Sequence, residues 1–206
     1  MQLSNKIYIW LIALACLVSF FSSFGSKLNL IEPIFFNKFL ISFNQIQFYD
    51  FKTTYRISNE WWRLITPMFI HFSPTHLIFN CLWIYILGRE IEQLDGKIIF
   101  IFLILFTSAS SNYLQYSFSG PSLFGGLSGV VYGLLGYCFV SETFLRINKF
   151  SFPPAIYIFM FVWLLIGFTG FLDLLGFGKI ANFAHLGGLL SGILSGYIFS
   201  MYNKKI

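Results

Sequence analysis

The sequence predicts an all-α, polytopic membrane protein with six transmembrane helices and a long, membrane-associated first loop. Of its 206 residues, 57% are hydrophobic and only 10% are charged, whereas soluble domains carry about 25% charged residues. Apolar stretches approaching the roughly 20 residues needed to cross a bilayer recur along the whole chain. We expect them to pack as a single domain that covers residues 1–206.

The apolar stretches define the individual spans. The first stretch also has features of a signal peptide, with the small residues Ser23 and Gly25 after an apolar core. That core is long for a signal peptide and five more spans follow, so we expect the segment to remain in the protein. The six spans are predicted at residues 6–24, 76–94, 97–117, 126–142, 154–170 and 182–202.

The positions of Lys and Arg predict the orientation in the membrane. Short cytoplasmic loops are enriched in basic residues. With both termini in the cytoplasm, the short outer loops would contain only Lys179. The net charge of +5 therefore reflects membrane topology, and we expect no nucleic-acid partner. The basic residues of the cytoplasmic side would be Lys6, Arg89, Lys97, Arg146, Lys149, Lys204 and Lys205.

The first loop, residues 25–75, is too long to be a simple connection between two spans. Its many aromatic residues, among them Phe35, Phe43 and Trp61, argue against disorder. Aromatic residues interleaved with Lys and Asn are typical of a segment in the lipid headgroup region. The sequence thus predicts an ordered loop that contacts the membrane surface.

The three cysteines, Cys16, Cys81 and Cys138, each lie inside an apolar stretch. None has the CxxC or CxxH spacing of a metal or redox site. We therefore expect them to be small buried apolar side chains.

Four polar residues are predicted to meet at the outer edge of the membrane. His76 and Asn80 are four residues apart at the start of the second span, so they share one helix face. Ser128 lies in the first turn of the fourth span and His185 in the first turn of the sixth. Each has an ordinary structural explanation, such as a serine bonding its own helix or an asparagine bridging helices. Their convergence at one depth instead favours a functional site.

Ser128 and His185 together supply a nucleophile and a base. A neutral imidazole can accept the hydroxyl proton while the oxygen attacks a carbonyl. The helix that begins near Ser128 offers unpaired backbone N–H groups to an oxyanion, and His76 and Asn80 could add side-chain donors. Because no acidic residue lies in the opening turns of these helices, we expect a Ser–His dyad; Asp173 is a weak candidate for a third member.

Glycines at intervals of three or four residues are expected to seat the fourth span against the sixth. Small residues allow close approach of membrane helices. This packing would bring Ser128 within hydrogen-bonding reach of His185. The glycines are Gly129, Gly133 and Gly136 on one helix, and Gly188, Gly192 and Gly196 on the other.

These motifs resemble those of the rhomboid intramembrane serine proteases, in their minimal six-helix bacterial form. Residues 126–129 are similar to the family's GxSG motif, and residues 184–188 to its AHxxG motif. The pattern His71, His76, Asn80 resembles the family's HxxxxHxxxN pattern. Trp62 and Arg63 are similar to a tryptophan–arginine pair in the first loop. The resemblance covers nearly the whole chain.

The resemblance implies that Ser128 is the nucleophile and His185 the base, with the Ser128 backbone amide, His76 and Asn80 forming the oxyanion hole. It implies that Tyr132 packs on the His185 ring, and that Glu92 braces the inner end of the second span. Its further implications concern supporting residues, a side gate and a mobile cap. These are Gly126, Gly129, Gly188, His71, Trp62 and Arg63 as supports, Phe79 and Trp163 as the gate, and residues 171–181 with Gly176 and Gly178 as the cap.

The resemblance also implies a bacterial inner-membrane protease, active on the outer side, whose substrates are single-span membrane proteins. The lipid bilayer is the other expected partner, and the oligomeric state is left open. One alternative is a catalytically silent relative that binds membrane clients. Another is a metalloprotease or transporter, but three histidines without HExxH form a poor zinc site. We expect no metal and no cofactor.

Overall fold

The computed structural model describes residues 6–43, 45–144, 149–174 and 180–203. Most of these residues are helical. The helices are α1 (Ile7–Phe21), a short α2 (Leu28–Ile31), α3 (Pro74–Trp83), α4 (Arg89–Leu94), α5 (Lys97–Ser119), α6 (Ser128–Phe139), α7 (Pro154–Gly167), a short α8 (Phe171–Leu174) and α9 (Asn182–Asn203). A π-helical turn, Ile84–Gly88, joins α3 to α4, and another, Val140–Phe144, extends α6.

Each predicted span corresponds to helical structure, with shifted bounds. In the described part of the chain, only Lys97–Ser119 is long and apolar enough by itself to cross a membrane, and Ile7–Phe21 and Pro154–Gly167 are shorter apolar helices. The fourth span begins at Ser128 rather than at residue 126, because Gly126 has a φ of +117°, outside the helical region. The fifth ends at Gly167 rather than at residue 170, where Gly170 again has a positive φ.

The start of α3 is encoded locally. Ser73 precedes Pro74, and its hydroxyl accepts the His76 backbone N–H at 3.2 Å. A serine cap followed by proline in the first turn is typical of a helix N-terminus. The helix therefore begins two residues before the predicted bound, and His76 falls in its first turn.

Helices α6 and α9 pack closely through their glycines, as the sequence predicted. A Cβ atom added at Gly188 would collide with the Gly129 carbonyl oxygen, and one at Gly192 with that of Gly133. At Gly136 an added Cβ would lie 2.6 Å from the Leu189 carbonyl oxygen. Only glycine allows this backbone-to-backbone approach. Ten of the twelve residues of α6 are buried, so this helix forms the centre of the bundle.

The first loop is ordered, but four of its aromatic residues are buried inside it instead of lying at the membrane surface as predicted. Phe35, Phe36 and Tyr55 have no exposed surface. They belong to two small apolar clusters that also contain Phe39 and Phe124. Burial inside the loop is favoured because each aromatic ring removes a large apolar area from water. Among the first-loop aromatic residues named in the sequence analysis, Phe43, Trp61 and Trp62 remain exposed.

A short antiparallel hairpin makes the loop an exception to the all-α prediction. Strands β1 (Phe39–Ser42) and β2 (Gln45–Phe48) pair with Phe39 opposite Phe48 and Ser42 opposite Gln45. Phe39 is buried while its neighbours Leu40 and Ile41 are exposed. Phe39 anchors the hairpin to the loop through its ring contact with Phe35 and through its N–H, which lies 3.4 Å from the Glu32 carboxylate.

Arg63 is a buried cation that organises the first loop. Its guanidinium lies 3.1 Å from the Glu32 carboxylate and also pairs with Glu60. It donates further hydrogen bonds to the Glu32 and Phe35 carbonyl oxygens. A buried charge is tolerated when it is paired and its donors are used. Trp62 contributes separately, donating its indole N–H to the Pro33 carbonyl oxygen at 3.0 Å.

Glu92 connects the end of α4 to the start of α1. Its two carboxylate oxygens accept the backbone N–H groups of Ile7 and Tyr8, each at 3.0 Å. A carboxylate at a helix N-terminus satisfies unpaired N–H groups and interacts favourably with the helix dipole.

The cysteine prediction holds for only one of the three residues. Cys138 is buried in α6, whereas Cys81 is half-buried and Cys16 is exposed. Cys16, although exposed, lies beside Cys81, so the two thiols meet where α1 contacts α3.

Candidate active site

Ser128 and His185 form a direct hydrogen bond. The Nε2 atom of His185 lies 2.8 Å from the Oγ atom of Ser128. Ser128 is the first residue of α6, and His185 lies in the first turn of α9. The glycine contacts between these helices hold the two side chains together, although 57 positions separate them in the chain.

The chain preceding Ser128 is held by backbone contacts. Gly126 donates its N–H to the Pro67 carbonyl oxygen at 3.0 Å. A Cβ atom at Gly126 would lie 2.6 Å from the His76 ring, and its positive φ is also one that other residues rarely adopt. At Gly125 an added Cβ would lie 2.8 Å from the same Pro67 oxygen. Where this segment turns into α6, Gly126 is therefore required for its backbone conformation and for lack of space, and Gly125 for lack of space.

His71 supports the same segment from the other side. It is fully buried, and its Nε2 atom accepts the Leu127 N–H at 3.3 Å. Burial, together with the neighbouring His76, lowers the pKa of His71 to about 3, so its ring is neutral. With Nε2 as acceptor, the proton is on Nδ1, which lies 3.3 Å from the Phe69 carbonyl oxygen. His71 thus orients the backbone next to Ser128 and does not line the cavity.

Two contacts orient the His185 imidazole and its helix. The Tyr132 ring stacks on it, with centroids 4.7 Å apart and an angle of 27°. The side chain of Gln115 on α5 accepts the Ala184 N–H at 3.0 Å, a donor shared with the Ala181 carbonyl oxygen, and so ties α5 to the start of α9. The Nδ1 atom of His185 has no hydrogen-bond partner among the described residues. A dyad, with no third side chain on this nitrogen, agrees with that geometry.

A small cavity opens beside the serine. Asn80 is 1% exposed, and its Nδ2 donor has no hydrogen-bond partner in the described part of the chain. A buried amide donor without a partner is costly, which makes it a candidate donor to a ligand. The cavity is lined by His76, Phe79, Asn80, Gly125, Ser128, Val131, Tyr132, Met160, Trp163, Ile180, Ala181 and His185.

Phe79 and Trp163 close one side of this cavity. Their rings stack with centroids 5.1 Å apart and an angle of 20°. A second aromatic pair, Trp83 with Phe159, lies farther along the same two helices. Helices α3 and α7 therefore meet through aromatic rings at the edge of the site.

Several residues that the sequence analysis assigned to the site do not line the Ser128 cavity. Trp62 and Arg63 stabilise the first loop and do not line the cavity. The structure does not describe the Asp173 side chain, Gly176 or Gly178. Four of the basic residues used to predict the orientation also lie outside the described residues: Arg146, Lys179, Lys204 and Lys205. Among the described residues, no group of three His, Cys, Asp or Glu side chains is placed to hold a metal ion.

Sequence reasoning missed three residues that shape the site. Ser73 caps α3, and the pair Ser73-Pro74 in the sequence indicates a helix start at this position. Gln115 supports α9, and Met160 lines the cavity and accepts a hydrogen bond from the Tyr132 hydroxyl at 3.0 Å. Neither of these two carries a local signal, since both act through contacts between distant helices.

Comparison with known proteins identifies the family. The Rhomboid domain family matches residues 58–202, which include every residue of the cavity. The chain belongs to the rhomboid family. Among curated rhomboid relatives, Rhomboid protease GlpG of Haemophilus influenzae is 37% identical over 148 residues, which are 71% of this chain and 74% of that protein.

Two further relatives carry the same name. Rhomboid protease GlpG of Serratia proteamaculans is 39% identical over 66% of this chain, and that of Klebsiella pneumoniae is 34% identical over 71% of it. This chain spans about half the length of these two relatives, 47% of the Serratia protein and 51% of the Klebsiella protein. The matches confirm the predicted family, its helical membrane fold and the serine protease class of enzyme.

Proposed function

We propose that this rhomboid protease cleaves membrane-protein substrates with a dyad of Ser128 as nucleophile and His185 as general base. The observation that carries the proposal is the 2.8 Å hydrogen bond between the hydroxyl and the imidazole. The nucleophile and base must be within this reach for the proton to transfer as the oxygen attacks. The cavity beside Ser128 provides space for the scissile carbonyl.

The reaction follows from these two groups. The Ser128 hydroxyl adds to the carbonyl carbon while His185 Nε2 takes its proton. The protonated imidazole then gives that proton to the leaving amine, and an acyl-enzyme remains. Water, activated by the neutral His185, hydrolyses the ester and restores Ser128. Stacking of Tyr132 keeps the imidazole plane fixed while its charge changes.

The oxyanion is proposed to bind to the backbone N–H of Ser128 and to the side chains of His76 and Asn80. The Ser128 N–H lies at the start of α6, where backbone donors have no partner within the helix. The unpartnered Asn80 amide is the strongest support for this assignment, since a developing negative charge would satisfy a donor that is otherwise buried unpaired.

Substrates are proposed to be single-span membrane proteins that enter between Phe79 and Trp163. These rings form a stacked pair at the side of the cavity, one on α3 and the other on α7. A helix of the substrate could reach Ser128 by separating this pair, without passing through water. We propose the region of residues 171–181 as the cap over the site.

The topology proposed is six spans in a bacterial inner membrane, with both termini cytoplasmic and the site open to the outer side. The first turns of α3, α6 and α9 surround one cavity, which supports their entry from the same side. Lys149, which precedes α7, and Lys97, which begins α5, lie at the opposite ends of the helices, in agreement with the positive-inside rule.

Labelling with a fluorophosphonate probe tests the proposal directly. The purified protein in liposomes should be labelled and should cleave a single-span substrate, with and without a chelator. Ser128→Ala should lose both activities and retain its fold. Persistent cleavage by Ser128→Ala would refute the nucleophile, cleavage that a chelator abolishes would indicate a metalloprotease, and a folded wild type without either activity would indicate a binding protein.

A further inference from the structure

An apolar groove lies between α6, α7 and α9, next to the Ser128 cavity. Its volume is about 370 Å³. Helix α7 forms one wall, and Ile158 and Phe161 on this wall are exposed at the surface of the bundle. We call this feature the tail groove. Its apolar lining residues are Leu135, Phe139, Ile158, Phe161, Leu189 and Ile193.

Two tyrosines complete the lining of the tail groove, and the hydroxyl groups of both are already bonded. The Tyr132 hydroxyl donates to the Met160 carbonyl oxygen at 3.0 Å, and the Tyr157 hydroxyl donates to the Glu142 carboxylate. The described lining residues therefore offer no free polar side chain to a ligand. An apolar cavity of this kind does not hold water, so the matching ligand is apolar.

The end of the tail groove away from Ser128 continues into a polar cavity, which we call the mouth. The two share Tyr157 and Ile158, and the mouth is also lined by Glu142, Thr143 and Ser151. Among the described residues that line the mouth, the Glu142 carboxylate is the one ionised side chain. A site that is apolar along its length and anionic at one end matches an amphiphile with a cationic group.

The dimensions of the tail groove match a single hydrocarbon chain. A cavity of about 150 Å³ holds the six carbons of benzene, so the tail groove has space for roughly a dozen carbons. One turn of an α-helix, about 10 Å wide and 5.4 Å long, fills roughly 400 Å³, so a substrate helix is too wide. The ten residue steps from Tyr132 to Glu142 span about 15 Å along a helix, about half of a bilayer's hydrocarbon thickness. The length is therefore that of one chain in one leaflet.

We propose that the tail groove binds one acyl chain of an inner-leaflet phospholipid, with an ammonium headgroup at the mouth. The ammonium pairs with Glu142, whose carboxylate can accept hydrogen bonds in addition to those from Phe152 and Tyr157. The free end of the chain contacts Tyr132, which lines both the tail groove and the Ser128 cavity. A lipid chain thus lies one side chain away from His185, on which Tyr132 stacks. The choice of leaflet rests on the proposed topology, but chain binding does not depend on the proposed activity.

Photocrosslinking in liposomes of phosphatidylethanolamine and phosphatidylglycerol tests the proposal. The probe is a phosphatidylethanolamine with a diazirine near the end of one acyl chain, and mass spectrometry of peptides locates its adducts. Leu189→Phe fills the tail groove. Leu190→Phe is the matched control, since Leu190 lies on the same helix, is 54% exposed and is not a lining residue. If Leu189→Phe does not fold, Ile158→Phe and its control Val162→Phe make the same comparison on α7.

We expect wild-type adducts to concentrate on the lining residues, about fivefold or more above those on Leu14, an exposed residue in the middle of α1. Leu189→Phe and Ile158→Phe should each reduce the adducts in the tail groove by about fivefold or more, because the added ring takes the space of the chain. The two control variants should stay within about twofold of the wild type. A phosphatidylglycerol probe with the same chains should give fewer adducts, because its headgroup has no ammonium for Glu142.

Adducts that are as frequent on Leu14 as in the tail groove would show bulk lipid only and would overturn the site. Equal adduct yields in a folded filled variant and its control would also overturn it. Equal yields from the two probes would overturn the assignment of the headgroup. These readouts do not require cleavage, so a failure of the proposed protease activity would be seen separately, as a loss of fluorophosphonate labelling with the adduct pattern unchanged.

Discussion

The imidazole of His185 and the hydroxyl of Ser128 share a hydrogen bond of 2.8 Å across the interface of α6 and α9. Gly188 meets Gly129 and Gly192 meets Gly133 at this interface, so the backbones of the two helices are in contact. A serine and a base held in this way act as one unit, and their removal should not be additive.

Ser128→Ala and His185→Ala should each abolish cleavage of a single-span substrate, and the double variant should be no worse than either single one. The measurement is single-turnover cleavage in liposomes. Ser191→Ala is the matched control, since this buried serine lies on α9 and its hydroxyl donates to the Gly187 and Gly188 carbonyl oxygens of the same helix. A double variant that loses a further large factor would show that the residues act independently.

Asn80→Ala should reduce kcat by about 10- to 1000-fold with little change in KM, because a donor to the oxyanion acts in the transition state. The measurement is steady-state kinetics with a single-span substrate. Asn37→Ala serves as the control, since this buried asparagine bonds to the Tyr49 carbonyl oxygen within the first loop. An unchanged kcat for Asn80→Ala would reduce this residue to a packing role.

Gly126→Ala should destabilise the protein by about 1–3 kcal/mol and displace the His76 ring, because the backbone has a positive φ and an added Cβ would meet that ring. Thermal unfolding and probe labelling measure the two effects. Gly96→Ala separates them, since Gly96 has a φ of +86° but no atom within 4 Å of an added Cβ. Equal loss of labelling in both variants would contradict a specific contact with His76.

His71 predicts a dependence of stability on pH. Its pKa is lowered to about 3 in the folded protein, against a reference value of about 6.5 in the unfolded chain. Between these values the unfolded state binds more protons, so stability falls as pH decreases from about 6.5 toward 3. The contribution of one such group is at most about 1.4 kcal/mol per pH unit.

Thermal unfolding from pH 7 to pH 4.5 measures this effect. The difference between the wild type and His71→Gln isolates the histidine, because glutamine can accept the Leu127 N–H but does not titrate in this range. We expect the variant to lose stability less steeply as the pH falls. Parallel curves for the two proteins would show that His71 is protonated at similar pH in both states.

The local sequence was sufficient to predict the helices and the polar residues that meet at the Ser128 cavity. Apolar stretches marked every long helix, because a helix that crosses a bilayer must be apolar along its length whatever its neighbours are. The glycine stripes predicted the contact of α6 with α9, because only glycine permits it. From these, the proximity of Ser128 to His185 followed.

Burial within the first loop could be decided only by the tertiary structure. The same Phe and Tyr residues can face lipid or pack on one another, and Arg63 can be exposed or buried with Glu32 and Glu60. The local composition of the loop is compatible with either arrangement. What decided between them was the presence of partners from distant parts of the chain, such as Phe124 beside Phe36.

The sequence by itself predicted which polar groups meet at the cavity, because their helix positions follow from periodicity and from the start of each apolar stretch. The tertiary structure alone decided what holds them: Gln115 on the start of α9, His71 on Leu127, and Tyr132 between His185 and Met160. Each is a hydrogen bond or ring contact between segments far apart in the chain. Such contacts depend on how helices are rotated and placed against each other, and a pattern along one helix does not contain that information.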